Sequence, residues 1–421
     1  MGGRVASTSG GAREVDIGNS AKAARRHIVA AVLAATLTAA GCSTLPRIPY
    51  TESEAAAAKV AGLDDVRMFA DAPASSFRFD SSLGLAERTA GKPLSYLALS
   101  GGGEDGAYGA GVLNGWTASG TRPVFTIVSG VSAGALIAPF AFLGPAYDGV
   151  LREIYTTGIG ESLFDSPNLF SVVFGSGLFG NTRLRELVAR YVDQDLIAAV
   201  AAAHAKGRRL LIITTNLDTQ RAVIWDMGRI AASGSPKAIE LFRDVLAASA
   251  SIPVVFPPML IGAEAGGRHF EEMHVDGAVI APVFTLPEAF VLRNASLFRG
   301  PRLNIYILVN NKVEPDFQVV PNRTVEIAGR ASSSSVLTVT RSVLFGTYRF
   351  AQRNHFGFNL TYVDKEIPPP KSVGFDTAYM RSLFDYGFEK ARSPSLWVHR
   401  PPSQDRTPAR PRDENVAGRT P

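Results

Sequence analysis

The feature that most constrains this chain is a corner. Val124–Val128 is a short β-branched and aromatic run, and Ala133–Leu143 is apolar and suited to a helix. Between them stands Ser129-Gly-Val-Ser-Ala-Gly134, with Ser132 at the centre of a Gly-x-Ser-x-Gly pentapeptide. A sharp strand-to-helix turn needs small residues where backbones approach, and Gly130 and Gly134 supply them on either side of the serine. In a chain with 40 glycines the pentapeptide alone is a weak signal. The strand before it and the helix after it give it weight and make Ser132 a candidate nucleophile.

A second glycine cluster lies one strand upstream. Leu94–Leu99 reads as a buried strand that runs into Ser100-Gly-Gly-Gly-Glu-Asp-Gly106, and Ala107–Ala118 then continues as a helix. Such a loop turns several backbone N–H groups toward one point near a helix N-terminus, which suits a phosphate or a transient oxyanion. Gly101, Gly103 and Gly106 also satisfy the dinucleotide pattern Gly-x-Gly-x-x-Gly. That pattern expects an acid about twenty positions on, at the end of the next strand. Here that strand ends in Ser129-Gly130, and Glu104 and Asp105 would place negative charge beside a pyrophosphate. An oxyanion hole is the better reading. A third piece, Met273-His-Val-Asp-Gly-Ala278, follows a strand expected over Phe270–Val275. It would set Asp276 at the carboxyl rim of an open sheet, where ligands of α/β folds bind. Asp-Gly is also an ordinary turn dipeptide.

Taken in order, Gly-Gly-Gly-x-x-Gly, Gly-x-Ser-x-Gly and Asp-Gly-Ala resemble the patatin-like phospholipase family, as does the stretch Ala247–Pro258 before the aspartate. The resemblance spans about 94–282. It implies a three-layer α/β/α fold with a mainly parallel central sheet, and a Ser–Asp dyad without histidine. Carried over, Ser132 is the nucleophile and Asp276 the base. The glycine loop (Gly101, Gly102, Gly103, Gly106) and Ala133 form the oxyanion hole, chiefly through the amides of Gly102, Gly103 and Ala133. Gly130, Gly134, Gly277 and Ala278 complete the motifs. One position departs from the family: Asp105 stands where Arg or Lys is common. An acid there should repel an anionic headgroup instead of steering it, which widens the expected substrates from phospholipid and lysophospholipid to neutral lipids and simple carboxylic esters.

Two other readings stay open at this point. The order Ser132, Asp276, His355 is that of an α/β-hydrolase triad, and His274 lies two residues from Asp276 on the same strand face. A noncatalytic, lipid-anchored binding module is the alternative from another class. His27, His204, His269 and His399 fall in no constellation, and the single cysteine and absence of paired His/Cys spacing imply no metal site and no cofactor. No Asp/Asn-rich calcium loop is present.

That cysteine, Cys42, follows Ala24-Arg-Arg-His27 and the apolar run Ile28–Ala40, and Thr38-Ala-Ala-Gly-Cys42 is similar to a bacterial lipoprotein box. The expected organisation is therefore a signal peptide over 1–41 with lipidation at Cys42, and a tether over 42–91 that includes a helix across Glu52–Ala61. A catalytic core spans 92–290, its continuation 291–395, and a disordered tail 396–421. This predicts a cell-envelope, lipid-anchored protein at the outer membrane, whose partners are a lipid or ester substrate and a membrane. The net charge of +5 is spread along the chain without a basic block, which argues against nucleic acid. Further buried strands are expected at Leu210–Thr215 and Leu303–Val309, with helices at Leu196–Ala205 and Ala238–Ala248. Leu163–Phe179 is an apolar stretch without clean periodicity, readable as a lid or acyl-chain wall.

Overall fold

A computed structural model describes residues 2–3, 47–73, 76, 93–159, 161, 181–292, 303–368, 370 and 375–402. Cys42 and the stretch Leu163–Phe179 lie outside them. The strands are β1 (Lys59–Val60), β2 (Arg67–Phe69), β3 (Leu94–Leu99), β4 (Ile127–Val131), β5 (Arg209–Asn216), β6 (Arg221–Asp226), β7 (Met259–Ala265), β8 (Arg268–Asp276), β9 (Leu303–Val309) and β10 (Gly357–Tyr362). The helices are α1 (Glu52–Ala57), α2 (Gly106–Ala118), α3 (Ala133–Leu143), α4 (Asp148–Thr156), α5 (Asn181–Tyr191) and α6 (Gln194–Ala205). They continue with α7 (Met227–Ala232), α8 (Ala238–Ser249), α9 (Glu288–Leu292), α10 (Thr324–Asn354) and α11 (Thr377–Ala391).

The strands join in one mixed sheet. Its centre, β5-β4-β3-β9-β10, is parallel throughout, and antiparallel strands extend it beyond β5 and above its carboxyl edge. Central strands are apolar along their whole length because both faces are covered. Leu97, Leu99, Val128, Leu210 and Ile212 point into one core with α2, α3, α8 and α11. Tyr96, Ala98, Val131, Leu211 and Ile213 point into a second core that includes Leu344 and Phe350 of α10. This alternation gives the three layers, and the expected mixed α/β class stands. The strand expected over Val124–Val128 is displaced to Ile127–Val131. Val124 is exposed, and pairing with β3 begins at Ile127 opposite Tyr96.

Register explains how the site arises. Along one edge β5 pairs with β6 over its last six residues. Along the other, β4 pairs with Arg209–Ile213 and β8 takes over at Thr214–Asn216. Strands β4 and β8 therefore occupy one lane beside β5 and run toward each other. Val131 ends one opposite Ile213, and Asp276 ends the other opposite Thr214. The residue after Val131 is Ser132. The carboxyl rim was the right place to expect Asp276, but an antiparallel strand descending onto that rim delivers it.

The tether reading of 42–91 is corrected over 47–73. Thr51 and Glu54 form a capping box that starts α1, which ends at Ala57 because the chain turns extended to pair β1 with β7. Arg47 forks onto Asp218 through two bonds of 2.6 Å, Tyr50 Oη donates to the same carboxylate, and β2 pairs with β6. The tail boundary also moves. Leu396 is buried, Trp397 packs edge-on to Trp116, and Val398 exchanges two backbone bonds of 2.9 Å with Leu360.

Candidate active site

Ser132 sits on the corner with φ 54° and ψ −125°, a conformation that costs a non-glycine residue of order 1–3 kcal/mol. Two close approaches make the corner possible. A Cβ on Gly134 would stand 2.6 Å from the carbonyl oxygens of Leu99 and Ser100, and one on Gly130 would collide with the carbonyl of Gly134. The turn is further held by Ser249 at the end of α8. Its hydroxyl accepts from the Ser132 amide at 3.0 Å and donates to the Ile213 carbonyl at 2.6 Å.

Ser132 Oγ donates to Asp276 Oδ2 at 2.6 Å, and both residues are almost fully buried. Asp276 Oδ1 accepts from the Ala278 amide at 2.8 Å, and the Asp276 amide donates to the Ser251 carbonyl. Burial pushes the Asp276 carboxyl up to about 7, against the opposing pull of the Ser132 and Ala278 bonds. A carboxylate so poised is a competent base near neutral pH.

The glycine loop lies against the serine: a Cβ on Gly101 would stand 3.1 Å from Ser132 Cβ. Its members are not equivalent. The Gly101 amide donates to the Pro282 carbonyl at 2.9 Å, and the Gly106 amide to the carbonyls of Gly103 and Glu104. That commitment removes both from the expected set of oxyanion donors. The amides of Gly102, Gly103 and Ala133 have no acceptor among the described residues. The loop is shaped by a residue that sequence reading missed, Asn310, at the carboxyl end of β9. Its Nδ2 donates to the Ser100 carbonyl at 2.7 Å, its Oδ1 accepts from the Gly109 amide at 3.1 Å, and its own amide donates to Ser100 Oγ at 2.9 Å. No local motif marks it.

Beside the loop, Tyr379 Oη donates to Asp105 at 2.7 Å and the Asp376 amide donates to Glu104 at 2.9 Å, which ties the start of α11 to the loop. Burial raises Asp105 to about 6 and Glu104 to about 7. The acid at position 105 is thus a partly buried, bonded group instead of a bare surface charge. Ser132 opens onto a small apolar cavity lined by Leu136, Ile154, Leu184, Leu187, Ile252, Phe256 and Met380.

Among the described residues no histidine bonds Ser132 or Asp276. His355 is exposed and caps α10 in a left-handed conformation, just before β10 begins opposite Asn304. That is the amino edge of the parallel strands, opposite the edge that carries Ser132. His274 is completely buried, but it bonds Thr214 Oγ1 at 2.9 Å and Glu272 Oε2 at 3.2 Å, not Asp276 or Ser132. His204 lies near Asp226, His269 near Glu264, and His399 contacts the Phe358 carbonyl.

Residues 97–287 match the family model described as patatin-like phospholipase. Solved structures that resemble the chain include VipD from Legionella pneumophila, at 13% identity and TM-score 0.35, over 72% of this chain and 67% of that one. Full-length ExoU of Pseudomonas aeruginosa in complex with SpcU is similar at 15% identity and TM-score 0.29, over 72% and 53% of the two chains. Human GIVD cytosolic phospholipase A2 follows at 12% and 0.27, over 61% and 48%. The chain spans about half the length of the last two. No curated protein matches it.

Proposed function

We propose that this chain, with its patatin-like phospholipase domain over 97–287, is a serine acyl hydrolase that cleaves carboxylic ester bonds of lipids. The observation that carries the reading is the 2.6 Å bond to a buried, raised-pKa Asp276 from Ser132 Oγ, whose residue lines an apolar cavity. In this reading Asp276 takes the Ser132 proton as Oγ attacks the ester carbonyl carbon. The carbonyl oxygen becomes an oxyanion facing the amides of Gly102, Gly103 and Ala133, donors worth about 3–4 kcal/mol each in comparable sites. Collapse breaks the ester C–O bond, and the departing alcohol takes the proton from Asp276. Water then gives a proton to Asp276 and attacks the acyl-enzyme, and collapse releases the fatty acid as Ser132 Oγ takes that proton back from Asp276.

The apolar lining beside the nucleophile supports an acyl chain as the group accepted there. Asp105 is bonded by Tyr379 and its charge is lost as pH falls through about 6, so phospholipid and lysophospholipid stay within the reading beside neutral esters. Lipidation at Cys42 belongs to the same proposal. Residues 47–50 are fastened to Asp218, at the turn just beyond the carboxyl end of β5, so such an anchor would begin near the edge that bears Ser132. Among the described residues no helix is long and apolar enough to cross a membrane.

The test is turnover of short and long p-nitrophenyl esters and of phospholipid vesicles by the full chain, beside Ser132→Ala, Asp276→Asn and His355→Ala. Loss in the first two with retention in the third is the expected result. A folded wild type that turns over no ester would instead favour the binding-module reading.

A further inference from the structure

Three buried polar side chains on the face of Asp276, those of Thr214, His274 and Glu272, have no part in the chemistry above. Glu272, His274 and Asp276 alternate along β8 and so share one face. Thr214 pairs directly with Asp276 and stands on that face too. Arg67, from β2, forks onto Glu272, one of its two bonds measuring 3.0 Å, and lies over the Trp225 ring at 5.4 Å. Glu272, His274, Thr214 and Trp225 are each at most 1% exposed.

The donors and acceptors assign every proton in this chain. Trp225 Nε1–H only donates, and it donates to Thr214 Oγ1 at 2.8 Å. The Glu272 carboxylate only accepts, so His274 carries its proton on Nε2 and donates it there. His274 Nδ1 is then left to accept from the Thr214 hydroxyl. An imidazolium would disrupt the chain, because Thr214 would face two donors with no acceptor for its own proton.

Burying such groups is costly and is best explained where it selects one arrangement among several. Here the alternatives are close at hand. Strands β7 and β8 pair with each other over seven residues, yet β8 meets β5 over only three. A slip of one residue against β5 would keep the hairpin intact and turn Asp276 to the opposite face, away from Ser132. It would also part Glu272 from Arg67 and His274 from Thr214, leaving the two only each other. We propose that Arg67, Glu272, His274 and Thr214 form a polar register key that positions Asp276 for Ser132. The segment carrying Arg67, which lies outside residues 97–287, is thereby part of the working site.

The catalytic half of this inference rests on the hydrolase reading, so the experiment has one readout that needs turnover and one that does not. In the full chain, Thr214→Val, Thr214→Ser and Arg67→Met are compared for ester hydrolysis and for the carboxyl ¹³C titration of Asp276. Thr214→Val and Arg67→Met should lower kcat about 100-fold, the scale of an ångström-sized misplacement, and change KM by no more than about twofold because the cavity is untouched. Thr214→Ser should restore kcat. In the first two variants the Asp276 midpoint, about 7 in the parent, should rise, because the burial that raises it persists while the Ser132 bond that opposes it is lost. If Arg67→Met does not fold, the nearly isosteric Thr214→Val decides. Folded variants with parental kcat and an unmoved Asp276 midpoint would overturn the key, as would equal losses in the Val and Ser variants. A parent that hydrolyses nothing, with an Asp276 midpoint that still moves in Thr214→Val, would sink the hydrolase reading and leave the key standing.

Discussion

Glu272 and Asp276 are two buried carboxylates on one face of one strand, four residues apart, and their acidities are driven in opposite directions. Both lose water. Glu272 has Arg67 and His274 against it and is held down at about 2, despite the burial that pushes it up. Asp276 meets a hydroxyl and one amide, and burial carries it up to about 7. Burial alone therefore predicts neither group; the partner set decides. One carboxylate is made permanently anionic and structural, and the other is left able to take a proton.

The sharpest way to separate the two is by activity. Ser132→Ala and Asp276→Asn should each lower kcat by at least about 10⁴-fold, read from long-chain ester turnover. For the parent, the acylation rate should rise with pH through about 7 as Asp276 loses its proton, and Asp276→Asn should abolish that dependence.

Stability should then split the pair by sign. A carboxyl raised in the fold is penalised above its unfolded pKa, so Asp276→Asn should stabilise the fold at pH 8 by up to about 4 kcal/mol. That gain should shrink below pH 7 and vanish near 4. Glu272 is depressed, so its contribution is present above its unfolded pKa of 4.5 and lost as pH falls through about 2. Glu272→Gln should accordingly destabilise by about 3 kcal/mol at neutral pH and progressively less toward pH 2, measured by denaturant unfolding. Equal signs for the two variants at pH 8 would break the comparison.

Smaller effects test the supports. Ser249→Ala leaves the buried Ser132 amide without its acceptor and should cost about 1–3 kcal/mol, with a drop in kcat of about tenfold. His355→Gly relieves a left-handed residue at the far edge of the sheet. It should stabilise by about 0.5–1 kcal/mol in thermal unfolding and leave turnover unchanged.

The parts of this site that could be read from the sequence are those whose cause is local. Gly130 and Gly134 are needed within two residues of Ser132, and the apolar runs at β3, β5 and β9 announce strands without any knowledge of their neighbours. Asn310, Ser249 and Arg67 act on backbone or side chains more than a hundred residues away, and nothing in their own surroundings marks them. The same holds for the lane that β4 and β8 share. Composition made 47–73 look like a tether because its Ala content hides two short strands whose partners lie far along the chain.

That shared lane has a consequence for the order in which the protein is made. Ser132 and Asp276 are 144 residues apart in sequence, and the base arrives on the second of the two strands that meet there. A ribosome that has completed β5 has already produced the serine corner and a bare upper edge at Thr214–Asn216, but nothing to remove the serine proton. On the proposed reading the nascent chain is chemically silent until β8 emerges and fills the gap. A protein able to cut lipids would spend most of its own synthesis unable to harm the membranes of the cell that builds it.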